Sequence, residues 1–164
     1  MAKTLAGVLA VSIAALLFAG CGGGSSSAPM TTEVSTTTTV AIDYGAQYLA
    51  IVAPVNSAQR TYQEKLPGIS ASDSVAVEAA TTPYAEAVEL FGNTLLRSSW
   101  PEAAKQAITQ LAQNAMQQAS LLRTLKDAKP FQYASISDTS KRLQGEQAGY
   151  ASTVRALLNL PPPS

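Results

Sequence analysis

Histidine is absent from the 164 residues, and cysteine occurs once, at Cys21. Without imidazole there is no ordinary base to activate the many serines, and the Glu-x-x-His pairs of di-iron bundles cannot be built. A zinc site would have to be all carboxylate, outside the usual nitrogen and sulfur donor sets. A lone cysteine closes no disulfide within the chain. Charge is also scarce: only 13% of residues are charged, with eleven basic and eleven acidic residues in balance. Lys3 lies near the N-terminus, so ten basic residues face eleven acidic ones in the rest of the chain. Such a balance offers no basic face for nucleic-acid phosphates and no polybasic contact for anionic lipid heads. Ser140-Lys141 are neighbours whose side chains diverge on a helix, Ser-x-x-Lys is missing, and Gly22-Gly23-Gly24 leads to serines rather than to a phosphate loop with lysine. The expectation is a chain that is not an enzyme and carries no metal or cofactor.

What the chain does have begins with an apolar run. Met1-Ala2-Lys3-Thr4 places one positive charge ahead of Leu5 to Ala19, which has none. Fifteen helical residues rise about 22 Å, short of the roughly 30 Å of bilayer hydrocarbon. Small residues, Ala19 and Gly20, then precede Cys21. A charged start, a short apolar middle and small residues at a cut describe a secretory signal peptide over 1–20.

Leu17-Phe18-Ala19-Gly20-Cys21 resembles the lipobox of bacterial lipoproteins, with Phe18 where leucine is usual. The resemblance covers only this N-terminal segment. It implies cleavage between Gly20 and Cys21, a diacylglycerol on the Cys21 thiol, and an acyl group such as palmitate on the new amine. Several acyl chains, at about 0.8 kcal/mol per buried methylene, suffice for stable anchoring where one does not. The expected location is the extracytoplasmic face of the cell membrane. An Ala- and Thr-rich, Lys-poor composition is similar to that of lipoproteins from actinobacteria such as mycobacteria. The bland alternative is an uncleaved apolar helix with an incidental cysteine.

Residues 21–40 read as a flexible tether. Gly22 to Ser27 cannot bury apolar surface, and Ala28 to Thr39 shows no helical or strand period. About nineteen such residues have an end-to-end distance of roughly 25 Å. A Ser/Thr-rich stalk with proline is also a candidate for O-glycosylation outside the cell.

Residues 41–160 predict an all-α fold, an antiparallel up-down four-helix bundle, followed by a proline-rich tail over 161–164. The first helix is expected from about Ile42 to Leu66, with Tyr44, Tyr48, Ile51, Val55, Tyr62 and Leu66 on one stripe. Pro54 lies inside it and should kink it rather than end it, since the stripe keeps its phase. The second runs from about Asp73 to Ser98 on Val77, Ala80, Tyr84, Val88, Phe91 and Leu95. Pro83 either kinks that helix or opens a fresh one capped by Thr82. Ser99-Trp100-Pro101-Glu102 fits a capping box for the third helix, whose stripe is Ala104, Ile108, Leu111, Ala115, Leu122 and Leu125. Phe131 and Tyr133 should cover one end of the core. The fourth helix is expected from about Ser137 to Leu158 on Leu143, Tyr150, Val154 and Leu157, with Pro161-Pro162-Pro163 as a frayed end.

Three features bear on function. Glu78, Glu86 and Glu89 lie opposite the second stripe and read as a solvated face, with a weak calcium site as the alternative. Gln59, Glu146 and Gln147 lie near apolar stripes and could form a polar cluster; Arg142, one turn before Glu146, can pair with it. That cluster either fixes helix register or forms the polar end of a ligand pocket. Five of the six tyrosines sit near inward stripes, as core filling or as a groove opened at the two prolines. The expected role is non-catalytic: binding an envelope protein or other envelope component. The alternative is a small-molecule or lipid carrier with its pocket between the proline-bearing helices.

Overall fold

The computed structural model describes residues 42–162. The leader over 1–20, Cys21 and the tether over 21–40 lie outside them. The described residues form an all-α, antiparallel four-helix bundle: α1 (Tyr44–Lys65), α2 (Ser74–Arg97), α3 (Glu102–Thr124) and α4 (Tyr133–Leu157). Each helix packs on the next in sequence, as short joins between long amphipathic helices require. Among the described residues no helix is long and apolar enough to cross a membrane.

The stripes are the core. Tyr48, Val55, Tyr62, Val77, Ala80, Tyr84, Val88, Phe91 and Leu95 are all buried, as are Ala104, Ile108, Leu111, Ala115, Leu122 and Leu125. Small residues dominate the α2–α3 contact. A Cβ added at Gly92 would stand 2.9 Å from the Ala112 carbonyl oxygen, so the two backbones meet where only hydrogen fits. Both α1 and α2 run unbroken through their prolines. This resolves the Pro83 alternatives in favour of one continuous helix, because the apolar stripe stays buried on both sides of the missing amide.

Helix ends follow local chemistry, with corrections. Asp43 and Asp73 cap α1 and α2, their carboxylates accepting from the amides of Ala46 and Ala76 at 2.9 and 3.0 Å. The capping box at Ser99 does not form. Pro101 takes the cap position without a side-chain bond, and the Glu102 carboxylate pairs with Lys105 at 2.6 Å. Burial of Trp100 is the competing demand: its indole N–H donates to the Leu95 carbonyl at 2.7 Å, satisfying an orphan acceptor at the end of α2. The ring also lies against Tyr44 and Tyr48, with centroids 6.4 Å away in each case.

α4 starts at Tyr133, a turn earlier than Ser137. A short 3-10 turn over Pro130–Gln132 feeds straight into it, with proline in a first turn where its missing amide costs nothing. Phe131 does not cover the core; it is 82% exposed. Tyr133 is partly buried, and its hydroxyl donates to the Ala71 carbonyl at 2.8 Å, closing that end of the bundle. Leu157 is likewise exposed rather than inward. The chain beyond α4 is docked rather than frayed through Pro161. Asn159 adopts φ 55°, and the amides of Asn159 and Leu160 donate to the carbonyls of Ala156 and Arg155. That is a Schellman closure with asparagine in the left-handed position. Leu160 then packs against the core near Gly45, and the Arg155 side chain donates to the Pro161 carbonyl at 2.6 Å.

Candidate functional site

Two polar or grooved regions stand out from the packed interior. The first joins α3 to α4. Asn114 and Gln118 lie one turn apart and are both buried. The Asn114 amide group donates to the Leu143 carbonyl at 3.1 Å and to a Glu146 carboxylate oxygen at 3.3 Å. Gln118 donates to the Asn114 side-chain oxygen at 2.7 Å and to that of Gln147 at 2.9 Å. Arg142 closes the outer side, its guanidinium 2.6 Å from the other Glu146 oxygen.

The structure therefore brings Glu146 and Gln147 together, through two residues that the sequence reading missed. Gln59 is buried on α1 and engaged in a polar interaction of its own. A signal for the missed pair was available: Leu111, Asn114, Ala115, Gln118 and Leu122 recur at three- and four-residue steps, so both amides fall on the inward stripe. In chemical terms the cluster is already engaged internally. Amide donors meet carbonyl and carboxylate acceptors within it, which fixes the register of α3 against α4.

The second region is a groove between α1 and α2 of about 420 Å3, open to solvent along one side. Pro54 and Pro83 both line it, together with Ala58, Tyr62, Lys65 and Ala80. The two prolines thus share one groove, although they belong to different helices. Neither contributes an N–H, and the lining is mainly apolar. Lys65 stands at the C-terminal end of α1 and, among the described residues, makes no ion pair.

The interior offers no comparable space. A void of about 20 Å3 lies among Tyr62, Tyr84, Gln118, Leu122, Leu125 and Ile136, the room of a single water. Tyr62 separates this void from the groove, since it lines both. Its ring stacks on Tyr84 with centroids 5.0 Å apart. The Tyr62 oxygen is buried without a hydrogen-bond partner among the described residues. Burial pushes the phenols of Tyr48 and Tyr62 up to about 12, the nearby Arg155 charge partly opposing the shift at Tyr48. Burial, with Tyr62 beside it, raises Tyr84 as well.

The three glutamates of α2 do not act together. Glu78 pairs with Lys126 at 2.6 Å, Glu89 pairs with Arg123, and Glu86 is exposed. These are ties between α2 and the region at the end of α3, each between exposed or partly exposed groups that water screens, and so they add little to stability. Among the described residues no group of three metal-ligating side chains is close enough to hold an ion. No protein-family model matches the chain, and neither a curated protein nor a solved structure matches it.

Proposed function

We propose that the chain is a lipid-anchored lipoprotein of the bacterial cell envelope, held at the extracytoplasmic face of the membrane through acyl groups on Cys21, and that its bundle is a non-catalytic binding module for an envelope protein or another envelope component. The single observation that carries the anchor is the run Leu17-Phe18-Ala19-Gly20-Cys21 closing a short apolar segment, with the chain's only cysteine at its end. The binding role draws support from how the bundle uses its polar groups. Asn114, Gln118, Glu146 and Gln147 bond to one another, which suits a rigid scaffold that presents its outer faces.

Substituting Cys21→Ser tests the anchor. The native protein should partition with membranes and carry the mass of its acyl groups, and the variant should lose both. Recovery of the native chain from the cytosol with its leader intact would refute the reading. Cross-linking of the membrane-bound chain, followed by identification of a recurrent envelope partner that the purified chain then binds directly, tests the module.

A second reading is favoured by one observation. The groove between α1 and α2 has both Pro54 and Pro83 in a mainly apolar lining, the kind of wall that small-molecule sites have. On that reading the bundle carries a small molecule or lipid.

A further inference from the structure

We infer that the α1–α2 groove is a binding site for a long-chain carboxylate, its apolar chain lying along Pro54, Ala58, Ala80 and Pro83 and its carboxylate at Lys65. This deepens the carrier reading and rests on it.

The shape of the groove selects a chain. Its lining on α1 runs from Pro54 to Lys65, eleven steps along the helix, which rise about 16 Å. A compact metabolite would leave most of that length unfilled, whereas an extended acyl chain spans it. Small residues make this slot: Ala58 and Ala80 keep the walls apart where larger side chains would meet.

The chemistry of the walls selects an apolar body. The lining is mainly apolar, and the Thr61 hydroxyl is turned back onto the Ser57 carbonyl at 3.2 Å. A polar ligand would find few partners along the slot. The charge at one end selects the head. Lys65 is the only charged residue in the lining and, among the described residues, is not engaged in an ion pair, so an anion placed there meets a cation that no described carboxylate neutralises.

The test uses the full chain isolated from membranes and placed in phosphatidylcholine nanodiscs, with a palmitate analogue bearing a photoactivatable diazirine. Adducts should map to 54–65 and 80–83. Unlabelled palmitate should compete, and hexadecanol should compete about fivefold less well. Lys65→Gln, at an exposed site clear of the core, should weaken labelling about fivefold, and Ala58→Trp should abolish it by filling the slot. Adducts centred elsewhere, such as the exposed Phe131 or Val75, would overturn the assignment. So would equal competition by the alcohol, or labelling indifferent to Lys65→Gln; these two readouts hold even if Ala58→Trp disturbs folding. Each of these failures leaves membrane partition and acyl mass at Cys21 unchanged, so loss of the groove and loss of the anchor are separately visible.

Discussion

Replacing Gly92 with alanine should destabilise the bundle, although alanine is the better helix former. In an exposed helix interior the exchange gains about 1 kcal/mol. At Gly92 the new methyl would stand 2.9 Å from the Ala112 carbonyl oxygen, 3.4 Å from Met116 Cγ and 3.5 Å from Ala115 Cβ. Met116 is flexible and can move aside. The Ala112 carbonyl is part of the α3 backbone ladder and cannot move alone, so α2 and α3 must separate by about 0.5 Å to restore ordinary contact. That separation loosens Ala85, Val88 and Leu95 in a fully buried layer. Overpacking of this kind costs roughly 1–3 kcal/mol, enough to outweigh the propensity gain. The expected net loss is up to about 2 kcal/mol, a fall in Tm of up to about 8 °C. Gly145→Ala and Gly149→Ala are the controls. Both lie inside α4 with nothing within 4 Å of the added methyl, and each should gain about 0.5–1 kcal/mol. Thermal unfolding followed by circular dichroism reads all three. If Gly92→Ala is stabilised to the same extent as Gly145→Ala, the close approach of α2 and α3 is not what holds them together.

Trp100→Phe should cost about 2 kcal/mol in urea unfolding, since it frees the Leu95 carbonyl and thins the contacts with Tyr44 and Tyr48; an unchanged midpoint would show that the indole neither caps α2 nor packs its end. Asn114→Ala should cost about 2–3 kcal/mol and loosen α4 first, seen as faster amide exchange around Leu143, because it removes two donated bonds and one accepted bond. Tyr62→Phe should instead be neutral or stabilise by up to about 2 kcal/mol at neutral pH, as the hydroxyl it removes is buried without a partner; a loss above about 1 kcal/mol would mean that the oxygen is satisfied. Tyr48 and Tyr62 also predict an alkaline limit. Their folded values are raised from 10.0 to about 12, so the unfolded chain releases these protons first. The stability they protect is fully present below pH 10 and is lost as pH climbs through about 12, by roughly 2–3 kcal/mol for each. Tyr84 is raised as well, so Tyr62→Phe should cut the slope by about a third in a pH series of urea midpoints, and an unaltered slope would contradict it.

The helical phases were legible because burial imposes a period of 3.6 on apolar residues, and proline does not reset that period when the stripe continues beyond it. Hence α1 read as a single element through Pro54, while at Pro83 a fresh helix stayed open until burial on both sides of it decided for one continuous α2. Helix ends were less legible, because their local chemistry competes with packing at a distance. Ser99 to Glu102 has the residues of a capping box, yet the burial of Trp100 draws the turn into another path. Tyr133 begins α4 early because its hydroxyl reaches Ala71, a contact 62 residues away in sequence that no local pattern reports. The same limit applies to the polar cluster. Glu146 and Gln147 were visible at the edge of the fourth stripe, but their partners sit on α3. Asn114 and Gln118 look like ordinary members of a glutamine-rich helix until the facing helix is in place. The groove was half legible: two prolines at matching depths suggest it, and only the antiparallel pairing brings both to one groove.

The positions of the chain ends give the proposed anchoring a direction. Gly45 at the start of α1 packs against Leu160, so both termini of the described bundle lie at the Trp100 end. The opposite end is closed by the Tyr133–Ala71 bond and carries Phe131 and Val75, 82% and 76% exposed. α1 alone measures about 33 Å along its axis. With the proposed acyl group on Cys21, the tether would join the bundle at its Trp100 end, which would be the end nearest the attachment point. Lys65 and the open mouth of the groove lie in the distal half, where a long-chain carboxylate would have to be delivered through water or by a partner rather than drawn laterally from the leaflet. The anchoring and the groove then make one joint demand: shortening the tether should leave labelling by a water-borne carboxylate unchanged, while a site fed directly from the membrane would gain from being brought closer.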